Sequence, residues 1–168
     1  MSANTLLITA KEVREYTSLK GAVDSDYIDP VIKVAQDLGL AYVLGFNLMT
    51  KLQTLKEAGT VPTPYSTLLN TYVKPYMWHL TAAEVVDSLR IDLNNQGTLE
   101  KNSNQGTSVS VNEYNSVKAN LMRKSDGYKK LLIEHLCRFG HNYPEYYTDQ
   151  NGRQDPTASA TFYGIDNF

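Results

Sequence analysis

The side chains best suited to chemistry in this chain are three histidines, His79, His135 and His141, and one cysteine, Cys137. Imidazole and thiolate groups bind metal ions when several converge, and a thiolate beside an imidazole can act as a nucleophile. His135 and Cys137 are two residues apart in the helical run LLIEHLCRF, and that spacing points them to different sides of a helix. The pattern therefore predicts no metal site, and we interpret Cys137 as a small buried hydrophobic residue.

Motifs that would indicate an enzyme are missing from the sequence. It has no phosphate-binding G-x-x-x-x-G-K-[ST], no nucleophile elbow G-x-S-x-G and no dinucleotide fingerprint G-x-G-x-x-G. Close acidic pairs, such as Asp24 with Asp26, lie at a helix start, where capping accounts for them. We therefore expect no catalytic residue, no cofactor and no enzymatic activity.

Charge and composition are ordinary for a globular domain. The net charge of −2 over 168 residues argues against a dedicated nucleic-acid binder. One local basic cluster lies between residues 118 and 130, and it is interpreted either as a solvated helix face or as a binding helix; its members are Lys118, Arg123, Lys124, Lys129 and Lys130. The single cysteine excludes an intrachain disulfide, and we expect neither a signal peptide nor a membrane span.

The stretch DSDYIDPVIKVAQDLGLAYVLG, residues 24–45, predicts the central helix. Asp26 is expected to cap it, Pro30 to lie in its first turn and Gly45 to end it. Gly39 inside it indicates close packing or a bend. Apolar residues at helical spacing predict one core-facing stripe: Ile28, Val31, Ile32, Ala35 and Leu38. We expect this helix to serve packing alone, with the binding features elsewhere.

The whole pattern predicts a mainly α protein: a helical bundle with a short two-stranded β-ribbon or loop and an extended C-terminal tail. The helical domain covers residues 1–141, with the ribbon or loop at about 90–110. Three further helices complete the bundle. One is capped by Asn47, one is opened by Thr63 and Pro64, and the last is interrupted at residues 125–127.

The predicted tail, residues 142–168, has no helical period but is rich in aromatic side chains, which favours docking over disorder. Its candidate interface residues are Tyr143, Tyr146, Tyr147, Phe162, Tyr163 and Phe168. The ribbon offers a strand edge to which such a tail could add; its candidate edge residues are Ile91, Leu93, Thr98 and Leu99. A tail placed on the next subunit's ribbon would be a heterologous contact that closes a ring or builds a filament.

Several segments resemble phage head–tail connector, or adaptor, proteins, in particular those of crAss-like and other tailed phages of Bacteroidota. These segments are LLITAKEVREYTSLKGAVDSDYIDPVIKVAQDLGLAYVLGFNLMTKL, PYSTLLNTYVKPYMWHLTAAEVV, the N-Q-G-T-L-E-K ribbon and the last helix leading to NYPEYY. The resemblance covers about residues 6–150 and rests on structural rather than catalytic motifs.

The resemblance implies a virion protein at the head–tail junction, assembled in the host cytoplasm as a twelve-fold ring below the portal. Its partners would be further copies of itself, the portal protein, other tail or ring proteins, and DNA that passes through the channel without sequence-specific binding. It also implies that residues 142–168 reach a neighbour or the portal and that residues 94–110 contact the channel or another subunit. The alternative function is a small helical regulatory or scaffold protein that binds nucleic acid or protein through Lys118–Lys130.

Overall fold

The computed structural model describes residues 5–19, 23–94, 97–100 and 111–147. It is mainly helical, which confirms the predicted fold class at that level. Residues 101–110 and 148–168, and with them Phe162, Tyr163 and Phe168 of the predicted tail, lie outside the described residues.

The N-terminal half is a series of helices joined by short connections. Its elements are α1 (Ala10–Tyr16), α2 (Ser25–Val34), the π-helical segment π1 (Ala35–Leu40), α3 (Ala41–Leu44) and α4 (Phe46–Glu57). Thr9 begins α1 with a capping box, because its side chain accepts from the Glu12 backbone while the Glu12 carboxylate accepts from the Thr9 backbone. Gly45, at φ 75°, ends α3 in a conformation that glycine adopts readily.

The second half is built on two long helices. A short α5 (Tyr65–Thr67) leads through the π-helical segment π2 (Leu68–Val73) into α6 (Lys74–Arg90), and α7 (Val111–Phe139) packs along α6. Between them, β1 (Ile91–Asn94) and β2 (Gly97–Glu100) pair antiparallel, with Asn94 opposite Gly97. A 3₁₀ turn (Gly140–Asn142) and α8 (Pro144–Tyr147) follow α7.

The core joins α1, α2, π1, α4, π2, α6 and α7 into one cluster. Gly39 lies where π1 meets α6: a Cβ there would come within 2.5 Å of Leu80 Cδ2 and 3.2 Å of Tyr76 Oη. The close packing predicted for Gly39 is therefore confirmed.

A polar network fixes the N-terminal residues on this core. Buried Gln36 accepts from the Leu7 backbone N–H at 2.8 Å and donates to the Thr5 carbonyl at 3.2 Å. Gln53 donates to the same Thr5 carbonyl, and the Lys56 ammonium donates to the Leu7 carbonyl at 2.7 Å. These bonds satisfy backbone groups that burial would otherwise leave unpaired.

Three helix starts differ from the prediction. The N-cap of α2 is Asp24, not Asp26, so Pro30 lies in the second turn rather than the first. Gly45 directly precedes α4, so Asn47 is already inside that helix. Pro64 is the N-cap of α5, and no side chain caps that helix.

Within the last helix the predicted interruption at residues 125–127 is wrong, because α7 runs without a break to Phe139. Ser125 is buried against the core, whereas a Cβ at Gly127 would have no atom of the described residues within 4 Å. Packing along α6 keeps the helix continuous through three residues of low helical preference.

Candidate interaction surface

One side of the central helix region carries exposed apolar side chains along its length. Leu38 is 75% exposed and Phe46 is 68% exposed, and three further side chains are about half exposed. We call this set the α2 stripe: Tyr27, Val34, Leu38, Tyr42 and Phe46. The four members on the continuous helical run from α2 to α3, Tyr27 to Tyr42, span 16 residues, or about 22 Å at ~1.5 Å per residue. Phe46 is the first residue of α4, directly after Gly45.

The π-helical segment explains why the stripe was not predicted. The prediction placed Leu38 in the core by assuming 3.6 residues per turn, and this is wrong. In π1 the Ala41 backbone N–H donates to the Gln36 carbonyl, five residues back, which widens the turn. Leu40 and Gln36 therefore face the core, while Leu38 stays outside with Val34 and Tyr42.

The expectation that this helix serves packing alone is therefore incomplete. Its inner side does pack as predicted, since Ile28, Ile32 and Ala35 are buried. Its outer apolar residues recur at spacings of seven and four, a pattern visible in the sequence. A helix that is apolar on two sides has two surfaces available for packing.

The first residues of the predicted tail fold against the chain's own core. Tyr143 is completely buried, so its ring has no exposed surface for a neighbour. Residues 140–142 and 144–147 are helical, which corrects the prediction of an extended tail for that part. Tyr146 is partly buried and Tyr147 is 58% exposed, so Tyr147 is the described tail aromatic with the most free surface.

The tail is anchored by a cluster of rings and polar groups around Tyr143. The His135 ring lies 2.9 Å from the Tyr143 hydroxyl, which in turn donates to the Pro64 carbonyl at 3.4 Å. Tyr65 donates to the Glu145 carboxylate at 2.7 Å. Burial and this hydrogen bond raise the pKa of Tyr65 to about 12.

The surroundings of His135 favour the neutral imidazole. If Tyr143 donates to Pro64, then the Nε2–H of His135 donates to Tyr143. The Nδ1 of His135 is buried and has no hydrogen-bond partner in the described part of the chain, so a proton on it would be left unpaired. Burial lowers the pKa of His135.

The predicted strand-edge residues occupy the paired segments β1 and β2. In the backbone register Ile91 is opposite Glu100, Leu93 is opposite Thr98, and Leu99 is opposite Asp92.

The basic cluster on α7 is partly engaged within the chain. Lys118 pairs with Asp87 of α6, so its charge is locally compensated. Arg123, Lys124 and Lys130 are exposed. Val117, Lys124 and Leu131 follow one another at seven-residue spacing, so an exposed side of α7 carries both apolar and basic groups.

Two of the residues considered for chemistry, His79 and Cys137, lie in different surroundings. His79 is buried, and its Nδ1 lies 2.9 Å from the Pro75 carbonyl. Cys137 is exposed, so its interpretation as a buried residue is wrong: it follows the buried Leu136 and points outward. Over the described ranges, no group of His, Cys, Asp or Glu residues could hold a metal ion. No helix of those ranges has both the length and the apolarity to cross a bilayer.

A known protein family matches most of the chain. No curated protein and no solved structure matches the chain. The model of a family of unknown function, DUF6712, matches residues 40–156, a region that includes α4, α6, α7 and the Tyr143 anchor. Because this match spans more than half of the sequence, the chain belongs to the DUF6712 family.

Proposed function

We propose that this protein is a structural virion protein, a head–tail connector subunit that assembles into a ring joining the portal to the tail. The observation that carries the proposal is the α2 stripe, an exposed apolar surface held on a well-packed helical body. Surfaces of this kind on small proteins mark sites of association. The segments that resemble phage adaptor proteins include the entire stripe, from Tyr27 to Phe46.

The C-terminal residues supply the second part of the proposal. The contacts of Tyr143 hold α8 beside α4, where Lys51 pairs with Glu145 at 3.7 Å, so Tyr147, the last described residue, lies next to this contact. From there the tail, with Phe162, Tyr163 and Phe168, docks on a neighbouring subunit's β1–β2 edge or on the portal. The tail and the ring contact then hold subunits around a channel that DNA crosses without being gripped.

The test is electron microscopy combined with mass measurement. Purified protein, alone or added to isolated phage heads that carry portals, is expected to give rings with a central channel and twelve subunits. In the particle, antibody-gold label against the protein is expected at the head–tail junction. Label absent from the particles, or located elsewhere on them, would refute the connector function.

A truncation tests the tail separately. A protein that ends after Tyr147 keeps the Tyr143 anchor and should fold, and we expect it to enter particles poorly. Normal incorporation would remove the docking role. A monomer or dimer that retards a DNA probe through Lys118–Lys130 would instead support the regulatory function.

A further inference from the structure

We infer that the α2 stripe of one copy packs on the exposed side of α7 of the next copy, as a head-to-tail contact. This inference rests on the proposed ring and names the two surfaces that form it. Two different surfaces joined in this way make a heterologous contact, which closes into a ring when the rotation between copies allows it.

The exposed side of α7 is long enough to receive the α2 stripe. On α7 the exposed line runs from Val117 through Lys124 and Leu131 to Arg138, which is about 31 Å at ~1.5 Å per residue. The part of the α2 stripe on the continuous helix, from Tyr27 to Tyr42, is about 22 Å long by the same measure. Two helical surfaces can pack side by side over the length that they share.

The two surfaces also have opposite charge. Residues 25–44 carry three carboxylates, Asp26, Asp29 and Asp37, and one ammonium, Lys33. Residues 111–139 carry six lysine or arginine residues and three acidic ones. Lys118 pairs with Asp87 of α6 and Arg138 pairs with Glu134, so the basic character of the exposed side comes from Arg123, Lys124 and Lys130. Complementary charge orients partners and disfavours the alternative in which two acidic surfaces meet as a symmetric pair.

Gly127 supports α7 as the receiving surface. It lies one turn before Leu131, and a Cβ there would have no atom of the described chain within 4 Å. Packing among the described residues therefore gives no reason for a glycine that costs a helix about 1 kcal/mol relative to alanine. A neighbouring helix that approaches closely at this point would give one.

The exposed area of the α2 stripe is consistent with a contact between copies. A fully covered aromatic side chain buries ~150–250 Å², so five side chains that are half to three-quarters exposed offer on the order of 500 Å². A standard interface buries roughly 800 Å² on each partner. The stripe supplies most of that area, and the charged residues beside it supply the remainder.

The test is a charge exchange in the full-length protein, followed by sedimentation velocity. One variant carries Asp26→Lys and Asp37→Lys, and the other carries Arg123→Glu and Lys124→Glu. Each alone places like charges across the contact and is expected to weaken self-association at least tenfold. In an equimolar mixture every contact between unlike variants is charge-matched, so association is expected to return to within about threefold of the wild type.

Three outcomes would overturn the inference. The first is a variant that associates alone as the wild type does, and the second is a mixture that fails to recover association. The third is a wild-type chain that stays monomeric up to about 0.5 mM, a concentration at which a contact of this area should form. None of these outcomes removes the connector proposal, because gold label at the head–tail junction is independent of which surfaces meet.

A substitution at the centre of the stripe tests the apolar part. Leu38→Glu is expected to weaken association at least tenfold while leaving the helical circular dichroism unchanged, since Leu38 is 75% exposed. Thr71→Glu, at an exposed position of π2, is the matched control and is expected to have no effect on association. Equal effects of the two substitutions would contradict the inference.

Discussion

Two glycines inside helices should respond in opposite ways to the same substitution. Gly39 lies in π1 against α6, and Gly127 lies on an exposed part of α7. Replacing glycine by alanine in a helix stabilises it by about 1 kcal/mol when the new methyl group meets nothing. At Gly127 that condition holds among the described residues, so Gly127→Ala should raise the free energy of unfolding by about 0.5–1 kcal/mol.

At Gly39 the new methyl group would lie 2.5 Å from Leu80 Cδ2 and 3.2 Å from the Tyr76 hydroxyl. Overpacking of a core typically costs about 1–3 kcal/mol, because side chains or backbone must shift. After the helical gain of about 1 kcal/mol is subtracted, Gly39→Ala should lower the free energy of unfolding by up to about 2 kcal/mol.

Urea denaturation followed by circular dichroism at 222 nm measures both changes through the transition midpoint. A double-mutant cycle with Leu80→Ala identifies the cause, since removing the Leu80 methyl groups should abolish most of the cost of Gly39→Ala. The reasoning is refuted if Gly39→Ala matches or exceeds the wild type in stability, or if its cost is the same with and without Leu80.

Three further predictions concern the polar groups. Gln36→Leu should lower the free energy of unfolding by about 1–3 kcal/mol, because the buried Leu7 N–H loses its acceptor; denaturation that leaves the midpoint unchanged would contradict this. Because the pKa of His135 is lowered in the folded protein, the unfolded chain binds a proton first as the pH drops, so the free energy of unfolding should fall below about pH 6.5. His135→Gln should flatten that decline. Equal slopes of the free energy of unfolding against pH in the two proteins would exclude His135 as the cause. Cys137 should react with a thiol reagent in the native protein, and reaction only after unfolding would show that it is buried.

Local periodicity predicted the inner side of the fold. The apolar spacing of Ile28, Ile32 and Ala35 correctly indicates a buried face, and Gly45 and Gly140 lie at the helix ends where a glycine is expected. These features depend on a few neighbouring residues, which is why the sequence reports them well.

What the sequence did not reveal depends on contacts between distant elements. The π-helical segments have no periodic signature of their own, so the outward position of Leu38 could not be read from a 3.6-residue period. The continuity of α7 through Gly127 follows from packing on α6, which local preference does not describe. The burial of Tyr143 follows from its contacts with His135, which lies on α7, and with Pro64, which is 79 residues earlier in the chain.

The packing of the inner side of the central helix affects the affinity with which its outer side can bind a partner. The inner side is fixed by the Gln36 bonds to Leu7 and Thr5 and by the contact of Gly39 with α6. Because that side is immobilised when the chain folds, Leu38 and the rest of the α2 stripe are held in place before any partner arrives. A preorganised surface loses less conformational entropy on association, so more of its apolar area contributes to affinity. Gln36→Leu should therefore weaken self-association as well as stability, although Gln36 itself is buried and lies outside the proposed contact.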